Sequence, residues 1–280
     1  MELRLYADDT TGYASSNSPA TLEFYINSDL ARLSHWLEDN YVTINATKTQ
    51  AMIVGKSNYN YELTLKSNNI LTIDELKLLG VTIDNKLTFS SHIKLVLSKF
   101  HAKIAALRRI RNFIDSDIAV KLYQSYILPH FDYCSPLLIG TNQTLSDKLE
   151  NANYYVLRTL FNLPKSISYE QILLQYNLDS IRHRRLVQAL ILVYKSYPNY
   201  IRNMFRIKNC VYNLGGNGSR LDQPAPNTGF KHRSFSYIAC RLWNKIPLHV
   251  RKAPNLKNFM AKLKKLKLSQ DECHCNFCSN

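Results

Sequence analysis

From Ile93 a row of apolar positions runs through Val96, Leu97, Phe100, Ile104, Leu107 and Ile110. These are the three- and four-residue steps of one helix face. Lys94, Lys99, Lys103, Arg108, Arg109 and then Arg111 take other positions, and no acid occurs between Asn85 and Ile114. The spacing predicts an amphipathic helix with an apolar side and a basic, acid-free other side. More helical patterns follow. Asp117–Leu128 reads as a helix stopped by Pro129. Leu145, Leu149, Ala152, Val156 and Leu160 mark another, stopped by Pro164. Tyr169–Tyr176 and Ile181–Tyr197 supply two more, the last ended by Pro198. Residues 91–198 therefore read as a helical domain with short connections.

Upstream the character differs. Residues 2–14 read as strand, turn and strand around Ala7-Asp8-Asp9. Pro19 opens a helix, where its fixed φ is tolerated, and Leu22, Ile26, Leu30, Leu33 and Leu37 give that helix its apolar face up to Asn40. Val42, Ile44 and Met52 to Val54 suggest short strands. Glu62–Leu65 and Leu76–Ile83 read as further strands, with a turn at Asn68-Asn69. The first ninety residues are thus predicted to be α+β. Downstream, Asn213–Gly229 is rich in Gly and Pro and reads as a linker. Ser234–Trp243 and Leu256–Leu266 then read as helices around Ile246-Pro247.

A chain of 280 residues suits one large domain or two smaller ones, and 45% hydrophobic content argues for a globular protein. The net charge of +15 points to a polyanionic partner, with an acidic membrane surface as the competitor. No apolar run approaches a membrane span, and Met1 opens directly into a strand, so an intracellular site, nuclear or cytoplasmic, is expected. Six scattered cysteines do not form a secreted disulfide framework in a chain this long. Cys134, Cys210 and Cys240 read as core.

The adjacent carboxylates of Asp8 and Asp9 repel each other, and their flanks Leu3, Leu5 and Tyr6 read as a buried strand. Such a pair is costly unless cations satisfy it, and hard divalent ions take carboxylate oxygens. The alternative is a polar hairpin turn, Asp-Asp-Thr-Thr-Gly.

Several segments taken together carry a resemblance. Tyr6-Ala7-Asp8-Asp9 resembles the catalytic hairpin of reverse transcriptases. Leu33-Ser34-His35-Trp36-Leu37-Glu38-Asp39-Asn40 and Asn45-Ala46-Thr47-Lys48-Thr49-Gln50-Ala51-Met52 are similar to the helix and lysine segment that follow it in non-LTR retrotransposons. Leu78-Leu79-Gly80-Val81-Thr82-Ile83-Asp84 resembles the primer-grip strand. Tyr126-Ile127-Leu128-Pro129-His130-Phe131-Asp132-Tyr133-Cys134 resembles the thumb, and Arg241-Leu242-Trp243-Asn244-Lys245-Ile246-Pro247 the C-terminal region. Their order fits the jockey-like branch, from about residue 3 to residue 266.

The resemblance implies an α+β fold, with a partial polymerase palm over residues 1–90, a mostly helical thumb over 91–198, and a linker with basic C-terminal helices over 199–280. It implies RNA-directed DNA synthesis in the intact parent, with an RNA template, a DNA primer and nucleoside triphosphates. Asp8 and Asp9 would share two Mg²⁺ ions, roughly 3.5–4 Å apart, with a third aspartate, Asp8 being the stronger ligand. Lys48 would stand near the leaving phosphate as a cation or proton donor, the other reading being a surface lysine in a turn. Gly80 would allow close backbone approach or mark a strand bulge.

Only Met1 to Leu5 precede Tyr6. The fingers, the strand with the third aspartate and the template-contacting segment are therefore expected to be missing, and neither Asp84 nor Asp132 lies in a segment matching the missing motif. The chain alone is expected to lack polymerase activity.

Phosphate contacts are expected from Lys99, Lys103 and Arg108, from Arg184 and Arg185 in Arg182-His183-Arg184-Arg185, and from Lys262 and Lys265 in the acid-free stretch Gln223–Gln270. The tail Cys273-His274-Cys275-Asn276-Phe277-Cys278 is spaced too tightly for an ordinary zinc finger. Reduced, inert cysteines are the favoured reading, and zinc is not expected at Cys273, Cys275 and Cys278. Two rival functions remain. One is a non-catalytic nucleic-acid-binding remnant. The other, ranked last, is a metal-dependent phosphohydrolase, since His35, Glu23, Asp29, Glu38 and Asp39 show no recognisable ligand spacing around the pair.

Overall fold

Strand pairing in the first part of the chain is local. β1 (Glu2–Tyr6) runs antiparallel to β2 (Asp9–Tyr13), with Tyr6 opposite Asp9 and Glu2 opposite Tyr13. The fold is that of a computed structural model, which describes residues 1–45, 48–55, 58–66, 68–196, 205–207 and 220–266. The chain divides into two units, residues 1–87 and 88–280.

In the first unit, β1 is exposed along its whole length, with Leu5 75% exposed. This corrects the expectation of a buried strand. β1 pairs with β2 alone, and a two-stranded ribbon leaves its faces bare unless another layer covers it. α1 (Pro19–Asp39) starts where Ser18 accepts the Thr21 N–H at 3.4 Å, and ends where the Asn40 side chain donates to the Trp36 carbonyl at 2.7 Å. Its Leu30 and Leu37 are buried, as are Leu63, Leu65 and Val81 of the same unit.

β3 (Gln50–Ala51) pairs in parallel with β6 (Leu71–Thr72), while β4 (Thr64–Leu65) and β5 (Asn68–Asn69) form a short hairpin. Asn68-Asn69 is therefore strand rather than turn, and the chain reverses beside Lys66, whose φ is +48°. Asn27 of α1 holds this hairpin: its Nδ2 donates to the Glu62 carbonyl at 2.8 Å, and its Oδ1 accepts the Thr64 N–H at 3.0 Å. The stretch Leu76–Ile83, expected as one strand, is a hairpin of β7 (Glu75–Leu78) and β8 (Val81–Asp84). Its two turn residues, Leu79 and Gly80, have φ of +46° and +82°. Two successive positive φ values match the twist of the flanking strands, and the glycine adopts its value without a Cβ clash. Gly80 is thus a turn residue, not a bulge.

In the second unit, α2 (Ser90–Ile110) buries Ile93, Phe100, Ile104 and Leu107. After α3 (Ser116–Leu122) the helix does not stop at Pro129 as expected. A wide π turn over Tyr123–Ile127 leads into α4 (Leu128–Asp132), the Leu128 N–H bonding to the Tyr123 carbonyl. That shift of partners accommodates a proline that has no N–H to give. A 3₁₀ segment (Ser135–Gly140) precedes α5 (Gln143–Leu160), α6 (Tyr169–Gln175) and α7 (Ile181–Lys195). Asn142 and Ser180 cap α5 and α7, and Ser168 with Gln171 forms a capping box on α6. The expected helices over these residues are all present.

α8 (Gly229–Arg233), α9 (Phe235–Lys245), α10 (Leu248–Arg251) and α11 (Leu256–Lys265) complete the described elements. Two apolar cores result. One joins α2, the π turn, α4 and α5 through Phe100, Tyr123, Phe131, Leu149 and Val156. The other joins α7, α9 and α11 through Leu190, Ile238, Trp243, Phe259 and Leu263. α7 belongs to both, with Ile181 in the first and Leu190 in the second.

Candidate functional site

Ala7 and Asp8 form the turn of the first hairpin, and Asp9 opens β2. Ala7 has φ of +52°, a strained value for a residue with a Cβ. Asp8 and Asp9 are both exposed. Among the described residues, no three of His, Cys, Asp and Glu come together as a metal site. Asp84 is nearly buried in the other hairpin, where its Oδ1 accepts the Lys86 N–H at 3.1 Å. Lys48 is exposed, and its N–H bonds to Asn45 Oδ1 at 3.2 Å. It makes no ion pair with Asp8 or Asp9 among the described residues. Asp8 and Asp9 thus lie side by side, as neighbours in the chain, at one exposed turn.

The cationic side of α2 is more developed. The buried face points into the first core, while Lys94, Lys99, Arg108 and Arg109 are exposed. Arg108 Nη2 donates to the Tyr155 hydroxyl at 2.6 Å, which fixes its guanidinium at the surface between α2 and α5. Lys103 is half-buried. Its ammonium lies 3.9 Å from the centre of the Tyr126 ring and touches His130 Nε2. Burial, with Lys99 second, lowers its pKa, and burial followed by Lys103 and Lys99 lowers that of His130.

Arg184 and Arg185 serve the interior. Arg184 grips Asp132 with two donors, Nε to Oδ1 at 3.1 Å and Nη2 to Oδ2. Arg185 is 5% exposed and donates to the Leu138 carbonyl at 3.3 Å, and burial pushes its pKa down to about 10. The Arg184 guanidinium is thus engaged with Asp132, and that of Arg185 is enclosed beside the 3₁₀ segment. Lys262 is half-buried and donates to the His249 carbonyl at 2.8 Å, while Lys265 is exposed. Cys240 is fully buried and Cys134 half-buried. Cys210 and the ligand-rich tail Cys273, Cys275 and Cys278 lie outside the described residues.

Two polar constellations were missed from sequence. In one, the Tyr123 hydroxyl donates to Asn153 Oδ1 at 2.8 Å, Asn153 Nδ2 donates to Tyr169 Oη at 2.8 Å, and Tyr169 donates to Glu150 Oε2 at 2.7 Å. Glu150 also accepts the N–H groups of Ile181 and Arg182 at the start of α7. The available signal was Glu150 and Asn153 set beside the apolar stripe of α5. In the other, Asn244 pairs with the Leu221 backbone through two 2.8 Å bonds, Leu221 N–H to Oδ1 and Nδ2 to the Leu221 carbonyl. Asn244 lies in the Arg241-Leu242-Trp243-Asn244 segment already singled out, but only the structure supplies its partner.

With known proteins the likeness is partial. Over 132 residues the chain is 30% identical to the RNA-directed DNA polymerase from mobile element jockey of Drosophila melanogaster, a stretch covering 46% of this chain and 14% of that protein. The chain thus spans a small fraction of the polymerase it matches. Over 182 residues it is 25% identical to an uncharacterized protein of Caenorhabditis elegans, covering 64% of this chain and 87% of that protein. No protein-family profile and no solved structure matches. The chain is therefore similar in part to a retrotransposon reverse transcriptase, and its described residues form a mixture of helices and small sheets. No helix among the described residues is long and apolar enough to cross a membrane.

Proposed function

We propose that this chain is part of a retrotransposon-type reverse transcriptase whose second unit grips nucleic acid. Residues 1–90 correspond to the distal palm, 91–198 to the thumb and 199–280 to a basic C-terminal region. The observation that carries this reading is α2, whose apolar side is engaged in a core while its outward side holds cations and no acid. A polyanion meets no opposing charge along that helix, and backbone phosphates need only such a face. The likeness to the jockey polymerase supports the choice of an RNA template and a DNA primer as the polyanion.

Asp8 and Asp9 supply oxygen donors of the kind Mg²⁺ takes. Two carboxylates in one exposed turn do not fill a two-ion centre, so the described residues fit that group only in part, and the third ligand of the active enzyme comes from outside them. A second reading is a nucleic-acid-binding protein without catalysis, which would keep the same basic face of α2. Anisotropy of a labelled RNA–DNA primer–template is the test. Replacing Lys94, Lys99 and Arg109 by Gln together is expected to weaken binding about tenfold or more. Unchanged affinity would overturn the assignment of this face. Primer extension with Mg²⁺ tests catalysis by the chain alone: extension that is lost in Asp8→Ala would show that it is a polymerase by itself, whereas no extension is expected without the third ligand.

A further inference from the structure

Towards the ends of α2 and α5, three guanidinium groups gather. Arg108 Nη2 donates to the Tyr155 hydroxyl at 2.6 Å, and Arg111 donates through Nη1 to the Thr159 carbonyl at 3.4 Å. Tyr155, Arg158 and Thr159 fall within little more than one turn of α5, so Arg158 stands beside both contacts. Its guanidinium carbon lies 5.3 Å from the centre of the Tyr154 ring, and the Tyr154 hydroxyl is itself fixed to the Ile167 carbonyl at 2.6 Å. A hydroxyl, a backbone carbonyl and a ring face thus position three cations without neutralising any of them. Positions set in advance lower the cost of ordering the cations around a ligand.

The cluster also keeps unmet donors. The Nε atoms of Arg111 and Arg158 are buried and have no hydrogen-bond partner among the described residues. Neither residue, nor Arg108, forms an ion pair among the described residues. The acids nearest along the chain are engaged elsewhere. Asp115 accepts the Ile118 N–H at 2.8 Å to cap α3, and Glu150 is taken up by Tyr169 and the start of α7. Arg108 is exposed, and Arg111 and Arg158 are half-buried, so each keeps a surface that a ligand can reach. A buried guanidinium nitrogen without an acceptor is rare in a folded protein, and an anion at the open side of these groups supplies the counter-charge they lack.

A phosphate within a strand carries about one charge. A terminal phosphomonoester carries close to two at neutral pH and offers three acceptor oxygens. Three guanidiniums in one place suit the second better, and arginine forks match phosphate oxygens in pairs. Next in the chain, Arg111 opens a short 3₁₀ turn (Arg111–Phe113) whose Phe113 is 87% exposed, a flat ring on which a base can stack. We propose that this cluster binds the terminal phosphomonoester of a nucleic-acid strand, with Arg108, Arg111 and Arg158 as its charge partners and Phe113 as the platform for the end base. The inference rests on the nucleic-acid reading above. It adds a strand-end contact to the backbone contacts of the face that carries Lys94, Lys99 and Arg109.

The test uses the full chain and an internally labelled single-stranded RNA of about a dozen nucleotides. The RNA is prepared with a 5′-phosphate, with a 3′-phosphate, and with hydroxyls at both ends. The parent chain is expected to bind a phosphorylated form about tenfold more tightly than the hydroxyl form, the effect of one or two charge-assisted hydrogen bonds. Arg108→Gln and Arg158→Gln are each expected to bring that ratio below about twofold, while Lys121→Gln on α3 leaves it unchanged. Replacing Lys94, Lys99 and Arg109 is expected to weaken all three RNAs alike and to keep the ratio. A parent that binds the three RNAs equally, but is weakened by that triple replacement, would overturn the cluster and leave the wider reading standing. This comparison needs no variant at the cluster. A preference that survives both cluster variants would place the contact elsewhere and overturn the proposal as well. If the parent binds no RNA, both readings fall. Pyrophosphate that raises the melting temperature of the parent but not of Arg158→Gln, with no preference among the RNAs, would make the cluster a free-phosphate site and overturn the strand-end assignment.

Discussion

The Tyr169 hydroxyl of α6 donates to the Glu150 carboxylate of α5 at 2.7 Å, and through it α5, α6 and the start of α7 are tied at one point. Burial, and then the Glu150 charge, raises the Tyr169 pKa, so the phenol stays protonated and remains a donor. Glu150→Ala leaves the phenol and two backbone N–H groups without their acceptor. It is expected to cost about 3 kcal/mol of stability, and Tyr169→Phe about 1 kcal/mol, measured by urea unfolding. Equal and small losses for the two would contradict the shared role of Glu150.

Arg184 discriminates between packing and binding. Its fork on Asp132 is matched to guanidinium geometry, which lysine cannot reproduce. Arg184→Lys is expected to lower stability by about 1–2 kcal/mol while nucleic-acid affinity of the folded protein changes less than about twofold. Unfolding curves and anisotropy on the same preparation check both. A large loss of affinity with stability intact would return Arg184 to the binding surface.

Gly140 is required by contact. A Cβ at that position would stand 1.9 Å from the Arg233 carbonyl oxygen, so the 3₁₀ segment and α8 would have to part. Gly140→Ala is expected to cost about 2 kcal/mol or more, seen as a lower denaturation midpoint. Melting unchanged by the substitution would show that the two segments separate easily.

Two imidazoles set a pH dependence. Burial, and then Lys99, holds the His92 pKa below the ordinary histidine range, and His130 is lowered as well. Between each lowered folded value and the unfolded value of about 6.5, the unfolded chain binds more protons, so stability rises with pH across that window. Acidification from pH 7 toward 5 is expected to destabilise the protein. His92→Gln is expected to flatten the part of the curve due to His92. Stability that rises on acidification in this window would contradict the assignment.

The helices of the second unit were legible because each carries an apolar stripe and a capping residue, as in Asn142 before α5 and Ser180 before α7. Pro129 misled because its missing N–H was absorbed by a π turn, a device with no sequence mark. The apolar run Leu76–Ile83 hid a hairpin whose only signal was Gly80. The Asp8-Asp9 turn was legible as a motif, but the exposure of β1 depends on what packs over it, which periodicity cannot tell. The Arg184–Asp132 fork and the burial of Arg185 were not legible, because charge alone does not distinguish a solvated cation from one held by a partner on another helix.

The most direct measurement is the affinity of the chain for a primer–template duplex as a function of salt. If the basic surface neutralises about four phosphates, log K falls linearly with log salt, with a slope near −3.6 and a loss of about a hundredfold between 50 and 200 mM. Affinity that is absent, or that hardly changes over this range, would contradict a second unit that grips the nucleic-acid backbone.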